Sequence, residues 1–228
     1  MRSRKVFAII VAGGSGSRMN SDEPKQFISL LDKPVIVHTL DAFHKADNQI
    51  QLIVVFPEAH MEFGMQLLQK HGYDDKSVQF VAGGKTRFHS VKNGLSIVPE
   101  DAVVLVHDAV RCMLTQELVL RCIKHAENNQ SAIPVVMSRD SIRQITETGS
   151  RNLMRNEIRI VQTPQAFDAG LLKKAFLLEY QDSFTDEASV VQHLGHEIAL
   201  IEGEEENIKI TFPMDLILAE KLLLQRIK

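Results

Sequence analysis

The chain has 228 residues, of which 44% are hydrophobic and 24% are charged. Composition and length both suit an ordinary globular protein, and we expect residues 1–228 to form a single domain. The 29 acidic and 26 basic residues give a formal net charge of -3. A general nucleic-acid binder or a membrane-surface binder would carry a strong basic excess. Both classes are therefore disfavoured, and any basic binding site must be a local feature.

The sequence also predicts a cytoplasmic protein. Its first apolar run, residues 6–12, is too short for the core of a signal peptide or for a membrane span. Cys112 and Cys122 are the only cysteines. A reducing compartment with two small buried side chains is favoured over a disulfide bond. No cluster of Cys and His indicates a zinc site.

Apolar runs alternate with amphipathic segments through the first part of the chain. Helical spacing is clear for Ile36, Leu40 and Phe43, after Pro34 and with Asp32 as a candidate N-cap. This rhythm, with glycines in tight turns, predicts an α/β fold with a mostly parallel central sheet covered on both faces. The predicted strands are residues 6–11, 52–56, 78–81, 103–106 and 132–136.

The alternation of apolar runs and amphipathic segments stops between Ser138 and Gln162. The segment is rich in arginine, and residues 147–150 are typical of a turn. Its apolar residues are too sparse to form a core. We therefore expect an extended hairpin arm at about residues 138–161 that packs on something else, such as a second subunit. A disordered loop is the alternative.

The last part of the chain returns to regular structure. We expect helices at residues 168–180 and 185–193, strands at 198–201 and 208–211, and a leucine-rich helix after Pro213. The leucines of residues 216–224 suit a core or a dimer surface. Glu202 and the glutamates of residues 204–206 are interpreted as a solvated acidic turn.

A glycine-rich turn, Ala12-Gly13-Gly14-Ser15-Gly16-Ser17-Arg18, follows the first predicted strand. Glycines let several backbone N–H groups point at one anion, and a basic residue completes such a site. The turn lacks the Lys-Ser/Thr of a Walker loop, and Met19 replaces the third glycine of a dinucleotide fingerprint. A turn needed only for chain reversal is the alternative. Lys25, held behind Pro24, adds a second cation and favours a phosphate site.

Together these motifs resemble the 2-C-methyl-D-erythritol 4-phosphate cytidylyltransferases of the non-mevalonate isoprenoid pathway. The resemblance covers nearly the whole chain, although Cys112 stands where the family's central motif usually has proline. It implies a three-layer Rossmann-like nucleotidyltransferase fold with a protruding β-hairpin arm. In chain order the motifs are Ala12-Gly13-Gly14 with Gly16, Arg18 and Met19; Pro24-Lys25-Gln26-Phe27; Lys33-Pro34 with Val37-His38-Thr39-Leu40; Gly83-Gly84-Lys85-Thr86-Arg87; Ser90-Val91-Lys92-Asn93-Gly94-Leu95; Val106-His107-Asp108-Ala109-Val110-Arg111; Thr163-Pro164-Gln165-Ala166-Phe167; Thr185-Asp186-Glu187-Ala188-Ser189; and Asn207-Ile208-Lys209-Ile210-Thr211 with Pro213 and Asp215-Leu216.

The resemblance implies that the acceptor's 4-phosphate attacks the α-phosphorus of CTP and expels pyrophosphate. A phosphate monoester is largely a dianion at neutral pH, so no general base is required, and His107 is expected to be structural. Positioning and charge neutralisation supply the catalysis. The implied catalytic residues are Arg18, Lys25, Arg155 and Lys209. The implied CTP contacts are Ala12, Gly13, Gly14, Gly16, Gly83, Arg87, Ser90, Asp108 and Ala109. The implied acceptor contacts are Arg111, Ser141, Arg155, Thr163, Thr185 and Lys209.

A metal and a second subunit also follow from the resemblance. Mg²⁺ is expected to be held largely by phosphates, with Asp108 as the best protein ligand; a ribose or helix-cap contact is the alternative for this carboxylate. The arm would cross to the other protomer of a homodimer, where Arg155 would serve the neighbour's site.

Other functions remain open from the sequence alone. A ribitol 5-phosphate cytidylyltransferase would share the fold and chemistry. A non-catalytic nucleotide-binding protein is disfavoured because Arg18, Lys25 and Lys209 are all present. A dinucleotide oxidoreductase is disfavoured by Met19 and by the Pro-Lys-Gln segment.

Overall fold

A computed structural model describes residues 4–14, 19 and 23–227. Two predicted site residues, Gly16 and Arg18, lie outside the described residues. The strands are β1 Val6–Val11, β2 Ser29–Leu30, β3 Lys33–Pro34, β4 Gln51–Phe56, β5 Val78–Ala82, β6 Val103–Asp108, β7 Ser131–Met137, β8 Ile142–Thr146, β9 Gly149–Leu153, β10 Arg159–Val161, β11 Gln165–Asp168 and β12 Leu200–Glu202. The helices are α1 Val35–Ala46, α2 Met61–Lys70, α3 Arg87–Leu95, α4 Gln116–Asn129, α5 Ala169–Ala175, α6 Glu187–His193 and α7 Pro213–Ile227.

The central sheet has eight strands and is mostly parallel, as the alternating pattern predicts. Its order is β10-β7-β11-β6-β1-β4-β5, and β12 pairs with β7. β1 lies parallel to both β4 and β6, and β5 lies parallel to β4. β10 and β11 run in the opposite direction to the rest. The four consecutive parallel strands therefore place their carboxyl ends at one edge of the sheet.

Helices cover both faces of this sheet because its strands carry apolar side chains on both sides. In β1, Ala8 and Ile10 join a core cluster with α1, α2 and α4. Phe7 and Ile9 join a second cluster with α3, α5 and α6. Such doubly buried strands are characteristic of parallel sheets. The predicted three-layer α/β architecture is confirmed.

Several helices begin at side-chain caps that satisfy free backbone N–H groups. Thr86 accepts a hydrogen bond from the backbone of His89 at the start of α3. Asp186 and Ser189 form a reciprocal capping box at the start of α6. These caps fix where the two helices begin, close to the residues that later form the site.

Three expectations about local structure are wrong. Asp32 does not cap α1; it has a φ of 64° in the turn between β2 and β3, and the N-cap position is Pro34. The helix predicted for residues 168–180 ends as α5 at Ala175. Residues 208–211 form no strand, although Ile210 N donates to Val110 O at 2.9 Å. This segment is held by tertiary contacts, which apolar periodicity does not reveal.

The predicted arm is a β-hairpin. β8 and β9 pair antiparallel from Ile142 opposite Leu153 to Thr146 opposite Gly149, and they form a separate two-stranded sheet. β10 then returns the chain to the edge of β7. The hairpin leaves large apolar side chains in solvent, with Ile145 79% and Met154 60% exposed.

Two features related to cellular location are visible in the described part of the chain. Cys112 and Cys122 are both buried and free, as expected. Among residues 4–14, 19 and 23–227, no helix combines the length and the apolar character needed to cross a membrane.

Replacement of Leu40 tests the packing of α1 on the sheet. Leu40 has 0% exposure, so Leu40→Ala should lower the free energy of unfolding by about 2–5 kcal/mol. The control is Leu177→Ala, because Leu177 is 77% exposed and should change stability by less than about 0.5 kcal/mol. Urea unfolding monitored by circular dichroism measures both values, and equal losses would contradict this packing.

Candidate active site

A cavity of about 330 Å³ lies at the carboxyl ends of β1, β4, β5 and β6. The chain order of the strands reverses between β1 and β6. Open α/β sheets bind ligands at such a switch point. The predicted site residues that line this cavity are Ala12, Gly13, Gly14, Lys25, Gly83, Arg87, Ser90, Asp108 and Lys209.

One wall of the cavity consists of backbone from two glycine-containing turns. Gly83 follows β5, and a Cβ atom there would lie 3.0 Å from Ser90 Oγ and 3.2 Å from Phe56 O. Ser90 Oγ accepts a hydrogen bond from Gly84 N at 3.1 Å and donates one to Thr86 O at 3.0 Å. The turn is thus folded tightly onto the start of α3, and only glycine fits at residue 83 without displacing its neighbours.

Asp108 ends β6 and is the centre of a cluster of charges. Its Oδ1 accepts a hydrogen bond from Arg87 Nε at 3.2 Å, and its Oδ2 lies 2.7 Å from Lys209 Nζ. Arg111 Nε lies 3.9 Å from the same Oδ2. Burial alone would raise the pKa of Asp108, but the charges of Arg87, Lys209 and Arg111 outweigh it and hold the pKa well below its ordinary value. The carboxylate is therefore ionised at all physiological pH values.

Glu187 is a buried member of this cluster that the sequence analysis left without a role. It has 1% exposure and lies in the first turn of α6. Its two carboxylate oxygens accept hydrogen bonds from Nη1 and Nη2 of Arg87. A bidentate pair of this kind fixes the plane of the guanidinium group. Arg87 therefore connects α6 to Asp108, and its guanidinium is largely occupied by carboxylates. The Thr-Asp-Glu-Ala-Ser motif includes Glu187, but the negative charge of this residue does not by itself identify Arg87 as its partner.

Lys25 is a second lysine that lines the cavity. It is only 7% exposed, and its Nζ donates to Ile210 O at 2.9 Å. A Cβ atom at Gly14 would lie 3.6 Å from Lys25 Cε, so this side chain borders the glycine turn. The neighbouring Gln26, also missed as a site residue, donates from Nε2 to Ala12 O at 2.8 Å. The Pro-Lys-Gln segment thus supports the glycine turn directly.

His107, Ala109 and Thr163 lie behind the cavity. Thr163 Oγ1 accepts from Asp108 N at 3.1 Å and lies 3.1 Å from His107 Nδ1. Burial lowers the pKa of His107 to about 3, so its ring is neutral, and it packs edge-on against Phe43. His107 is structural, as expected. Ala109 has 0% exposure and, like Thr163, is absent from the cavity lining.

Of the six predicted acceptor residues, only Lys209 lines this cavity in a single chain; Arg111, Ser141, Arg155, Thr163 and Thr185 are absent from its lining. Ser141 is in the arm, and Arg155 lies in a single helical turn after β9, where its Nη1 donates to Arg139 O at 3.1 Å. Thr185 is exposed and precedes the N-cap of α6. The structure therefore groups the predicted nucleotide contacts well, and the predicted acceptor contacts only in part.

Cys112, which departs from the family pattern, is buried beside α7. It belongs to an apolar cluster with Met113 and Ala219. Burial raises the pKa of its thiol to about 12, so it stays protonated and behaves as a small apolar side chain. The turn of Asp108 to Arg111 is still closed by a hydrogen bond from Arg111 N to Asp108 O at 3.0 Å.

The acidic segment after β12 is not simply solvated, contrary to expectation. Glu204 is partly buried and accepts hydrogen bonds from Thr115 Oγ1 at 2.7 and 2.9 Å. Glu205 pairs with Arg139 at the base of the arm, and Glu206 pairs with Arg226 of α7 at 2.8 Å. Consecutive glutamates thus bind three separate elements. Sequence alone could not show this, because their partners are distant in the chain.

A divalent cation would find few protein ligands here. No group of three or more His, Cys, Asp or Glu side chains suited to a metal occurs in the described parts of the chain. Asp108 is the one carboxylate among the described residues lining the cavity. Mg²⁺ commonly binds to substrate phosphates with only one or two carboxylates. Asp108 fits the role of a single carboxylate ligand, and Mg²⁺ would compete with Lys209 for its Oδ2.

Comparison with known proteins places the chain in a family. A family model described as IspD, 2-C-methyl-D-erythritol 4-phosphate cytidylyltransferase, matches residues 6–225. The chain belongs to this family. It is therefore a nucleotidyltransferase of the CTP-dependent cytidylyltransferase type, and the resemblance stated from the motifs is confirmed.

Individual relatives agree over their full lengths. The 2-C-methyl-D-erythritol 4-phosphate cytidylyltransferase of Bacteroides fragilis is 48% identical over 216 residues, which cover 95% of this chain and 98% of that protein. The protein of the same name from Bacteroides thetaiotaomicron is 47% identical and is covered completely. A crystal structure of 4-diphosphocytidyl-2C-methyl-D-erythritol synthase from Anaerococcus prevotii superposes with a TM-score of 0.82 at 28% identity, covering 97% of this chain and 96% of that one.

Removal of the Asp108 charge should give a pH-dependent loss of stability. The folded pKa lies below the ordinary value of 3.8. The carboxylate therefore stabilises the fold fully above about pH 5, and this contribution is lost as the pH falls toward 2. We expect Asp108→Asn to be less stable than the wild type at pH 7, with a difference that shrinks below about pH 4.

Urea unfolding at intervals between pH 3 and pH 7 measures this difference. Asp101→Asn is the control, since Asp101 is exposed. A gap between wild type and Asp108→Asn that is independent of pH would contradict the electrostatic role of the carboxylate.

Proposed function

We propose that the chain transfers the cytidylyl group of CTP to 2-C-methyl-D-erythritol 4-phosphate in this cavity, releasing pyrophosphate. The product would be 4-diphosphocytidyl-2-C-methyl-D-erythritol. The supporting observation is that Lys25 and Lys209, which are far apart in the chain, line the same cavity as the backbone of Gly13 and Gly14. Family membership indicates the reaction, and this arrangement supports where it takes place.

The glycine turns would bind the triphosphate and the nucleoside. Backbone N–H groups of Gly13 and Gly14 face the anionic part of CTP in this proposal, and Lys25 neutralises charge on the α-phosphate and the leaving pyrophosphate. Gly83 and Ser90 also line the cavity, and they would border the nucleoside. Arg18 remains part of the prediction, although it lies outside the described residues.

The acceptor phosphate would lie near Lys209 and Arg111. Both cations face Asp108, with Lys209 Nζ at 2.7 Å and Arg111 Nε at 3.9 Å from Oδ2. Two phosphates repel each other strongly, so neighbouring cations are needed to bring them together. Arg111 Nε is buried and has no hydrogen-bond partner within the described parts of the chain. The acceptor's dianion then attacks without a general base, because positioning supplies most of the rate.

Mg²⁺ is part of the same proposal. It would be bound mainly by the phosphates of CTP, with Asp108 as a protein ligand, and it would reduce their negative charge. Arg87 and Glu187 hold Asp108 in place from the side away from Lys209. The carboxylate is then positioned whether or not Lys209 is bound to it.

We further propose a homodimer in which the arm reaches the partner's site. The arm is basic and exposes Ile145 and Met154, which a second subunit would cover. Arg155 lies in this arm, and its Nη1 donates a hydrogen bond to Arg139 O. Arg155 and Ser141 would complete the acceptor site of the neighbouring protomer.

A cytoplasmic location also belongs to this proposal. Both cysteines are free and buried, which suits a reducing compartment. CTP and phosphorylated sugar alcohols would then be available to the cavity.

Replacement of Lys25 tests the catalytic proposal. We expect Lys25→Ala to lower kcat by about 100- to 1,000-fold, since a positioned cation at the reacting phosphates is lost. The assay is pyrophosphate release with CTP, Mg²⁺ and methylerythritol phosphate, and Lys70→Ala is the control at an exposed helical lysine. Equal kcat values for wild type and Lys25→Ala would remove Lys25 from the mechanism. Ribitol 5-phosphate is run in parallel, and faster turnover with it would replace the proposed acceptor.

Mixing two inactive variants tests whether Arg155 acts across the dimer. If it does, Lys25→Ala and Arg155→Ala homodimers are both impaired, but each mixed dimer contains one intact site. Refolding equal amounts together should then restore about a quarter of the wild-type activity, because half of the dimers in a twofold assembly are mixed and half of their sites are intact. No restoration in a confirmed mixed dimer would mean that Arg155 acts within its own chain or not at all.

A further inference from the structure

Gln162 has a buried side chain that bonds to a turn near the site. It lies just after β10 at the base of the arm and is only 4% exposed. Its Nε2 donates to Glu204 O at 2.8 Å and to Asn207 O at 3.4 Å. Its Oε1 accepts from Glu204 N at 3.1 Å and from Asn207 Nδ2 at 3.5 Å. One side-chain amide therefore satisfies both donors and acceptors of the turn at residues 204–207.

This turn determines where Lys209 lies. Residues 203–211 form neither helix nor strand, so no regular backbone ladder holds them. Other tertiary bonds to this segment include those from Ile210 N to Val110 O and from Asn207 Nδ2 to Thr163 O, both 2.9 Å long. Lys25 Nζ also donates to Ile210 O, and Glu204, Glu205 and Glu206 make the contacts described above. A segment without regular structure keeps one conformation only if such tertiary bonds specify it. Gln162 contributes to this with both ends of one buried side-chain amide.

The same turn also positions Arg111. Arg111 Nη1 donates to Asn207 O at 2.8 Å, and Asn207 O is one of the atoms that Gln162 binds. Both cations proposed to bind the acceptor phosphate are thus linked to one buried amide. Neither Lys209 nor Arg111 bonds to Gln162 directly.

Gly203 provides independent evidence that the fold makes room for this amide. A Cβ atom at residue 203 would lie 2.5 Å from Gln162 Oε1 and 3.1 Å from Val135 O. The first distance is shorter than any real contact, and the second involves rigid backbone of β7. Glycine at this position allows the backbone of the turn to approach the amide closely.

We propose that Gln162 is a positioning residue for the transfer reaction, whose side-chain amide shapes the turn that places Lys209 and Arg111 at the acceptor end of the cavity. The inference rests on the role given to Lys209 under the proposed function. Gln162 does not line the cavity, so its effect passes through the turn. The expected consequence is a defect in acceptor use and turnover, with little change in CTP binding.

The test compares Gln162→Met, which keeps the length of the side chain but removes its hydrogen bonds, with Lys209→Met and the double variant. Displacement of a reacting group by about 1 Å can cost about 100-fold in rate. We expect kcat/KM for methylerythritol phosphate to fall about 10- to 100-fold in Gln162→Met, while the KM for CTP changes less than about threefold. Gln225→Met is the control at an exposed glutamine of α7.

A double-mutant cycle separates positioning from a general structural defect. If Gln162 acts partly through Lys209, the loss in the double variant should be smaller than the product of the two single losses, because coupled residues are not additive. Should Gln162→Met fail to fold, as judged by circular dichroism, Gly203→Ala replaces it, since its methyl group would push the amide from the other side.

The outcomes distinguish this inference from the proposed function. A wild-type rate for the folded Gln162 or Gly203 variant, a similar rise in the KM for CTP, or fully multiplicative losses in the cycle would each overturn the positioning role. If Lys209→Met itself retains wild-type turnover, the role of Lys209 in the proposed function is wrong, and the positioning role is overturned with it.

Discussion

The buried carboxylate of Asp108, surrounded by Arg87, Arg111 and Lys209, is the interaction on which the site depends. A lone carboxylate would be poorly stabilised in this position, and three neighbouring cations would repel one another without it. Because β6 ends at Asp108, the central sheet fixes the carboxylate in space, and each cation is then drawn to that point from a different segment. The cluster therefore links these segments to the end of β6, and it concentrates positive charge next to the cavity.

This arrangement is consistent with the proposed reaction, which needs cations and backbone donors and no protein nucleophile or general base. An attacking phosphate already carries the electron pair that the reaction needs, and the obstacle is the repulsion between anions. In the proposed function, the backbone of the glycine turns and the lysines reduce that repulsion. Glu187 accepts hydrogen bonds from both Nη atoms of Arg87. Its negative charge offsets that of the guanidinium, and the two bonds keep the guanidinium against Asp108. The acidic residues of the cluster thus orient the cations.

The sequence predicted the elements that depend on local pattern. β1, β4, β5 and β6 follow from continuous apolar runs, and the glycine turn at residues 12–14 follows from its place after β1. Roles that depend on distant partners were not predictable: nothing in the local sequence links Glu187 to Arg87 or Gln162 to Glu204. Asp32 was misplaced for a related reason, since its φ of 64° places it in a turn before the helix. The resemblance to the family supplied the positions of Lys25, Asp108 and Lys209, which spacing alone could not combine.

The contrast between the two halves of the site has a physical origin. The proposed nucleotide side is built from backbone at the ends of adjacent parallel strands, so folding of one chain brings it together. The proposed acceptor side draws on segments that leave the sheet, namely the arm and the turn before α7, and their positions depend on individual side-chain bonds. Gln162 lies where these two segments meet, between the return of β10 and the turn at residues 204–207. We therefore expect a change in how the arm is held at its base to reach Lys209 through the Gln162 amide and through the pair of Arg139 with Glu205. The proposed acceptor side would then be the half of the site most sensitive to the arm's surroundings.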